Sequence, residues 1–155
     1  LAADVAKIGV VDFQKILAES EAGKHVQEDI QKKGREMESS LKNLGQEIED
    51  LTKQLNRDAM VMSKEKREEK QRELEIKKYD FQTMQKKYQA QFRDMEAKMV
   101  KKLQEDIFAL TEAIGKREGY LLIVEKTAAV YYPSTIDITD KLISEYNEQF
   151  DGSSE

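Results

Sequence analysis

Between Glu21 and Glu118 the chain runs without a single proline, and charged side chains recur throughout. Proline inside a helix removes a backbone donor and clashes with the preceding turn, so its absence over such a length permits long, uninterrupted helices. Two short apolar pieces flank the stretch, Lys7-Ile-Gly-Val-Val11 and Tyr120-Leu-Leu-Ile-Val124, and both read as strands. The pattern predicts an α+β fold, mostly helical, with a long antiparallel helical hairpin inserted into a small β-containing body. The expected bounds are 1–20 and 119–155 for the discontinuous body and 21–118 for the hairpin arm, with its tip near 56–63.

At 155 residues the chain is one domain's length, yet 37% of it is charged and 39% apolar, which leaves little for a thick core. The apolar residues are regularly spaced, so the composition points to long helices rather than disorder. There is no cysteine, hence neither a disulfide framework nor a thiolate metal site. No run approaches the roughly 20 apolar residues that cross a bilayer, so the reading is a soluble chain. Leu1-Ala2-Ala3-Asp4 has the small residues that remain around a secretory cleavage site, which predicts export. Net charge is −5, unevenly placed: residues 21–118 carry 22 basic and 21 acidic side chains, the rest 4 and 10. Residues 51–78 carry 9 basic against 6 acidic, so the tip is mildly basic. That excess is either a solvated helix surface or an attraction for acidic partners.

Ile8, Val10 and Val11 form a β-branched run, and Asp12 can accept from the free amides of a short helix over Phe13–Leu17. Ser20 caps the next helix, with Glu21 in its first turn. In the first arm, expected from Glu21 to Asn56, Ile30, Gly34, Met37, Leu41, Leu44, Ile48, Leu51 and Leu55 alternate in steps of four and three, which lays one seam along a helix. Glu28–Lys32, Asp29–Lys33 and Glu49–Lys53 place an acid four residues before a base. Asn56 to Ser63 breaks the pattern, and Ser63 can cap the second arm, Lys64–Glu118. Its seam, from Leu74 and Phe81 through Met84, Tyr88, Phe92, Met95 and Met99 to Ile114, contains successive steps of four and so drifts around the helix. The last turns of this longer arm are expected to extend into the body. Gly119 stops the helix, a further strand is expected over Ala128–Tyr132, and Thr139 is expected to cap a last helix, Asp140–Phe150, with Ile138 and Ile143 as a staple. The tail Asp151–Glu155 is expected to be disordered.

A body of 57 residues without disulfide or metal is marginal alone, and its short strands leave open edges. Self-association through the body follows as an expectation, with Ile8, Val10, Leu121, Ile123 and Val130 as the residues that carry it. The residues themselves leave the number of subunits open.

Chemistry is hard to place on this chain. His25, near Glu21 and Glu28, reads as an exposed helical histidine rather than a metal ligand. Glu68 and Glu69 are adjacent on a helix and point apart, Ser63 and Ser134 lack a local base, and the glycines lack phosphate-loop spacing. No catalytic residue, cofactor or metal is expected. Tyr79, Phe81, Tyr88 and Phe92 lie among lysines, but helical spacing assigns them to a seam, and near-neutral arms disfavour nucleic acid.

Lys7-Ile-Gly-Val-Val-Asp12 leading to Ser20-Glu-Ala-Gly23, the charged hairpin, then Gly119-Tyr-Leu-Leu-Ile-Val124, Ala129-Val-Tyr131, Asp137-Ile-Thr139 and Leu142-Ile143 together resemble the Skp/OmpH family of bacterial periplasmic chaperones. The resemblance spans nearly the whole chain and rests on the order and separation of its pieces. It implies a homotrimer shaped like a jellyfish, with a trimerisation body and helical tentacles around a cavity. That cavity holds unfolded outer-membrane proteins in the periplasm without nucleotide. The best-known member is basic and this chain is acidic, so only a weak membrane or lipopolysaccharide contact through the tip is left open. Many weak contacts in a concave cavity suppress aggregation by avidity, and adaptable methionines suit that task. The candidates for client contact are Met60, Val61 and Met62 at the tip and Met84, Met95 and Met99 along the second arm, the latter three equally readable as seam packing. The competing reading is a structural coiled-coil adaptor that binds one folded partner.

Overall fold

The two apolar pieces pair with each other. In the computed structural model, which describes residues 5–150, β1 (Ile8–Val11) and β2 (Leu122–Glu125) form a two-stranded parallel sheet with Ile8 opposite Leu122 and Val11 opposite Glu125. Parallel strands cannot be joined by a tight turn and need a long crossover. Here the crossover is the whole helical insertion. The expectations for Leu1–Asp4 and for the tail Asp151–Glu155 lie outside the described residues.

After β1, Asp12 Oδ1 accepts the Lys15 N–H at 3.0 Å and starts α1 (Phe13–Glu19), which runs two residues past the expected end. Ser20 then stops one helix and caps the next: its N–H donates to the Ile16 carbonyl, and its Oγ accepts from Gly23 N–H at 3.1 Å. α2 (Glu21–Asp58) and α3 (Lys64–Glu118) follow, roughly 57 and 82 Å long at the helical rise. Gly119, at φ +71°, makes the left-handed stop. Leu121 N–H donates to the Lys7 carbonyl at 2.7 Å, and β2 begins at Leu122, two residues later than the sequence suggests.

The chain divides into two compact units. One holds the described residues up to Asp29 and from Ala97 onward, and the other is Ile30–Glu96. The body unit therefore takes in the first turns of α2 and the last turns of α3, beyond the expected bounds of 1–20 and 119–155. The reason lies in burial: Leu103, Ile107, Leu110 and Ile114 of α3 pack with Ile16 and with Leu142 of α4 (Thr139–Gln149) in one apolar core. Ile138 is buried and Ile143 half-buried in the same cluster.

Two expectations for the C-terminal part of the body are corrected. Residues Ala128–Tyr132 form no strand. Glu125 accepts the Thr127 N–H and turns the backbone into a 3₁₀ turn, Lys126–Ala128, while the free side of β1 is met by a bridge between Val10 and Asp137. Residues 129–132 follow that turn without pairing to the outer edge of β2. Nor does Thr139 cap α4: its Oγ1 accepts the Asp12 N–H at 2.9 Å, and its own N–H donates to Asp137 Oδ1 at 2.9 Å. The hydroxyl ties α4 to the end of β1 instead.

The arm unit is a hairpin. Gly34 faces Phe92, Gly45 faces Phe81, and Glu47 pairs with Lys77 at 2.7 Å, so α2 and α3 run antiparallel within it. The eight seam positions predicted for α2 are all buried or half-buried, as are Leu74, Phe81, Met84, Tyr88, Phe92 and Met95 of α3. α2 continues through Asp58, whose carbonyl accepts the N–H groups of Val61 and Met62; the turn then closes at Ser63, whose Oγ accepts from Lys66 N–H at 3.2 Å. Of the three predicted ion pairs, Glu49–Lys53 forms, while Lys33 turns to Glu36 and Asp29 to His25. Among the described residues no helix is long and apolar enough to cross a membrane.

Candidate functional site

In a chain this charged, the informative surface is its exposed apolar part. On the arm unit, Met60 is 96% exposed and Val61 84%, at the turn where α2 and α3 have both ended and no helix face can cover them. Met62 is half-buried beside them, and Met84 and Met95 are half-buried along the seam of α3. Met99, also half-buried, lines a pocket of the body unit with Ala22, Val26, Leu103, Tyr146 and Phe150. The six methionine and valine candidates therefore fall into two kinds. Met60 and Val61 are free to touch a partner, whereas Met62, Met84, Met95 and Met99 are half-buried and partly committed to packing.

Ile76 and Tyr79 were missed as candidates. They are 61% and 70% exposed on α3, and Tyr79 stands outside the seam to which spacing with Phe81 had assigned it. At 100° per residue Tyr79 is turned some 160° from Phe81, and that angle was available in the sequence. With Arg72 and Glu75 they line one shallow, open groove.

On the body unit, Ile8, Leu121, Leu122, Val130 and Tyr131 are exposed, Leu121 and Val130 the most freely among the five predicted association residues. Ile123 is half-buried against the chain's own core and near Gly115. Val10 is buried inside the single chain at 1% exposure and offers no surface. Phe13 and Phe108 meet edge-to-face, ring centres 4.9 Å apart, and with Leu121, Leu122 and Ile123 they line a second open groove.

Charge on the body is organised by a few carboxylates. Glu118 accepts from Lys141 and from Arg117, which also holds Glu145, and these donors with nearby Lys7 bring its carboxyl from 4.5 down to about 2. A carboxylate depressed in the folded state stabilises above its unfolded value and loses that contribution as pH falls through the folded one. The expected result is that Glu118→Gln flattens the acid limb of stability between pH 4.5 and 2, read as the urea midpoint against pH. An unchanged limb would show that the cluster contributes nothing. Asp12 is held below its ordinary value by the Lys15 N–H and by Lys126. Burial, with Asp106 alongside, pushes the Tyr146 phenol up to about 12.

His25, read as an exposed helical histidine, lies on α2 with its side chain 43% exposed and has two neighbours. Its Nδ1 lies 3.3 Å from Asp29 Oδ2, and its ring centre lies 5.8 Å from that of Phe150. Among the described residues no group of histidine and carboxylate side chains is arranged to hold a metal ion.

Comparison with known proteins gives this surface a context. The profile of the OmpH family, outer membrane protein (OmpH-like), matches residues 7–146. A Skp-like protein from Pseudomonas aeruginosa is 30% identical over 142 residues, covering 92% of this chain and 84% of that protein. The fold is similar to the crystal structure of a candidate OmpH-like outer membrane chaperone from Caulobacter crescentus, with TM-score 0.86 over 96% of this chain and 88% of that one, at 13% identity. The match runs from the residue before β1 to Tyr146 of α4, and the chain belongs to the OmpH-like family of outer membrane proteins.

Proposed function

We propose that this chain is an ATP-independent holdase of the periplasm, which encloses unfolded outer-membrane β-barrel proteins between helical arms and keeps them from aggregating. The observation that carries the reading is the family match over 7–146, which takes in both strands and the whole of α2 and α3. A Skp-like relative and a fold shared with a candidate outer membrane chaperone support it. So does the arm's surface chemistry: a few exposed apolar side chains set among many charges favour numerous weak contacts over one tight, selective one. Light scattering of a urea-unfolded barrel protein, diluted in the presence of this chain, is expected to fall. Undiminished scattering at several-fold excess ends the reading.

The working form is a homotrimer joined through the body. Support comes from the exposed Leu121, Leu122, Val130 and Tyr131 and from a two-stranded sheet too small to close on itself. Multi-angle light scattering is expected to give three times the 17.9 kDa chain mass. Leu121→Asp combined with Val130→Asp is expected to reduce that to one chain without loss of helix, because both side chains face solvent in the single chain. A trimer mass in the double variant would place the interface elsewhere. Ile123→Asp is a poorer probe, since it also disturbs the chain's own core.

A further inference from the structure

We propose that Met60, at the turn between α2 and α3, is a site of reversible oxidation, where a peroxide converts its thioether to the sulfoxide and makes the end of the arm polar without disturbing the fold.

The chain has neither cysteine nor tryptophan, so its six methionines hold all of its sulfur and are the side chains that a mild two-electron oxidant attacks. Selectivity among six identical groups then depends on access. Met60 is 96% exposed, whereas Met37, Met62, Met84, Met95 and Met99 are half-buried. Met37 lies in the seam of α2, Met84 and Met95 in that of α3, and Met99 lines the body pocket with Leu103 and Tyr146.

Position explains the difference. α2 ends at Asp58, whose carbonyl takes the N–H groups of both Val61 and Met62, and α3 starts at Lys64. The turn closed by these bonds leaves the Met60 side chain projecting into solvent and Met62 half-buried beside it.

In the oxidation a sulfur lone pair attacks one peroxide oxygen. The S–O bond forms as the O–O bond breaks, and the departing hydroxide takes up the proton of the transferred hydroxyl and leaves as water. Sulfur loses two electrons and the peroxide gains them. A sulfoxide reductase with a thiol reductant reverses the change, the oxygen leaving as water while two thiols become a disulfide. A sulfur as exposed as that of Met60 is within reach of such an enzyme in the folded chain.

A sulfoxide is a polar acceptor. In a seam it would lie against apolar side chains without a donor and weaken the pairing of α2 with α3, whereas at Met60 water solvates it. Met60 and Val61 are the exposed large apolar side chains of the turn, so one oxygen atom removes half of that pair. The fold thereby separates a change in surface polarity from a loss of stability.

The test treats the full, folded chain with a small excess of hydrogen peroxide, quenches with free methionine, and maps the digest by mass spectrometry, with fragment ions separating Met60 from Met62. Met60 is expected to reach half conversion on the order of ten times sooner than the other methionines. The singly oxidised chain is expected to keep its helix content and urea midpoint and to elute earlier from a hydrophobic-interaction column. In the urea-unfolded chain all the methionines are expected to react alike, which assigns the selectivity to the fold. Met60→Leu is expected to remove the fast phase with helix content unchanged, and reductases for both sulfoxide epimers are expected to restore the parent mass of the folded chain. Any other methionine reacting as fast as Met60 in the folded chain would overturn the site. A urea midpoint lowered by the single oxidation, or a Met60 sulfoxide that the reductases leave untouched, would overturn the reversible change of polarity.

Discussion

Gly23→Ala is expected to destabilise the body by roughly 3 kcal/mol or more, at the upper end of what adding one methyl group costs. A Cβ at Gly23 would lie 1.9 Å from the Leu17 carbonyl oxygen, 2.8 Å from its carbon and 3.0 Å from Ser20 Oγ. The first two atoms are backbone, fixed by the hydrogen bonds that end α1, so relief requires α1 to move against α2. That movement would also loosen Ile16, which is fully buried in the core. The other glycines of α2 provide the control. At Gly45 the nearest atom to a new Cβ is the edge of Phe81 at 3.6 Å, ordinary contact, so Gly45→Ala gains helix propensity and is expected to stabilise by up to about 1 kcal/mol. Equilibrium urea unfolding, with exchange protection of the Val10 and Val11 amides to report on the body alone, separates the two. A Gly23→Ala variant as stable as the parent would mean that the α1–α2 junction is wider than described.

Leu142→Ala should cost about 3–5 kcal/mol, and Leu41→Ala about 1–2, although the chemical change is the same. Leu142 is fully buried, where α3, α4 and α1 converge and a cavity cannot collapse. Leu41 is half-buried in a seam between two helices, open to solvent along its edges. Water can refill the space it leaves, so the cavity contribution is small. Urea midpoints of the two variants check this; equal losses would mean that the arm is packed as tightly as the body.

What could be read from the residues was whatever depends on near neighbours. Asp12, Ser20 and Ser63 each cap the helix assigned to them, and Gly119 takes the left-handed conformation that ends α3. The α2 seam was legible because its steps of four and three are local. Failures occurred where distant groups compete. Thr139 looked like a cap until Asp12, 127 positions away, supplied a different donor for its hydroxyl. Ala128–Tyr132 has strand composition, but the 3₁₀ turn capped by Glu125 takes up Ala128 and the rest pairs with no strand, and composition does not reveal pairing. For the candidate site, Met60 and Val61 were found from a break in pattern, while Ile76 and Tyr79 were passed over because attention followed the seam. Exposure depends on which face a neighbour takes, and only one face of α3 is taken.

The parallel pairing of β1 with β2 also fixes an order of events. Ile8 and Leu122 are 114 positions apart, and closing so long a loop from a disordered chain is slow because entropy is lost before any contact rewards it. The arm removes that obstacle. Its contacts can be made by zipping outward from the turn at Ala59–Ser63, each step bringing together residues only slightly farther apart than the last. Once Gly34 has met Phe92, the two ends leaving the arm are already neighbours, and the remaining search for β1 and β2 is short. A chain folding from disorder would therefore build its arm first and its sheet last, so that the exposed surface around Leu121 and Val130 is completed only on chains whose arms are complete.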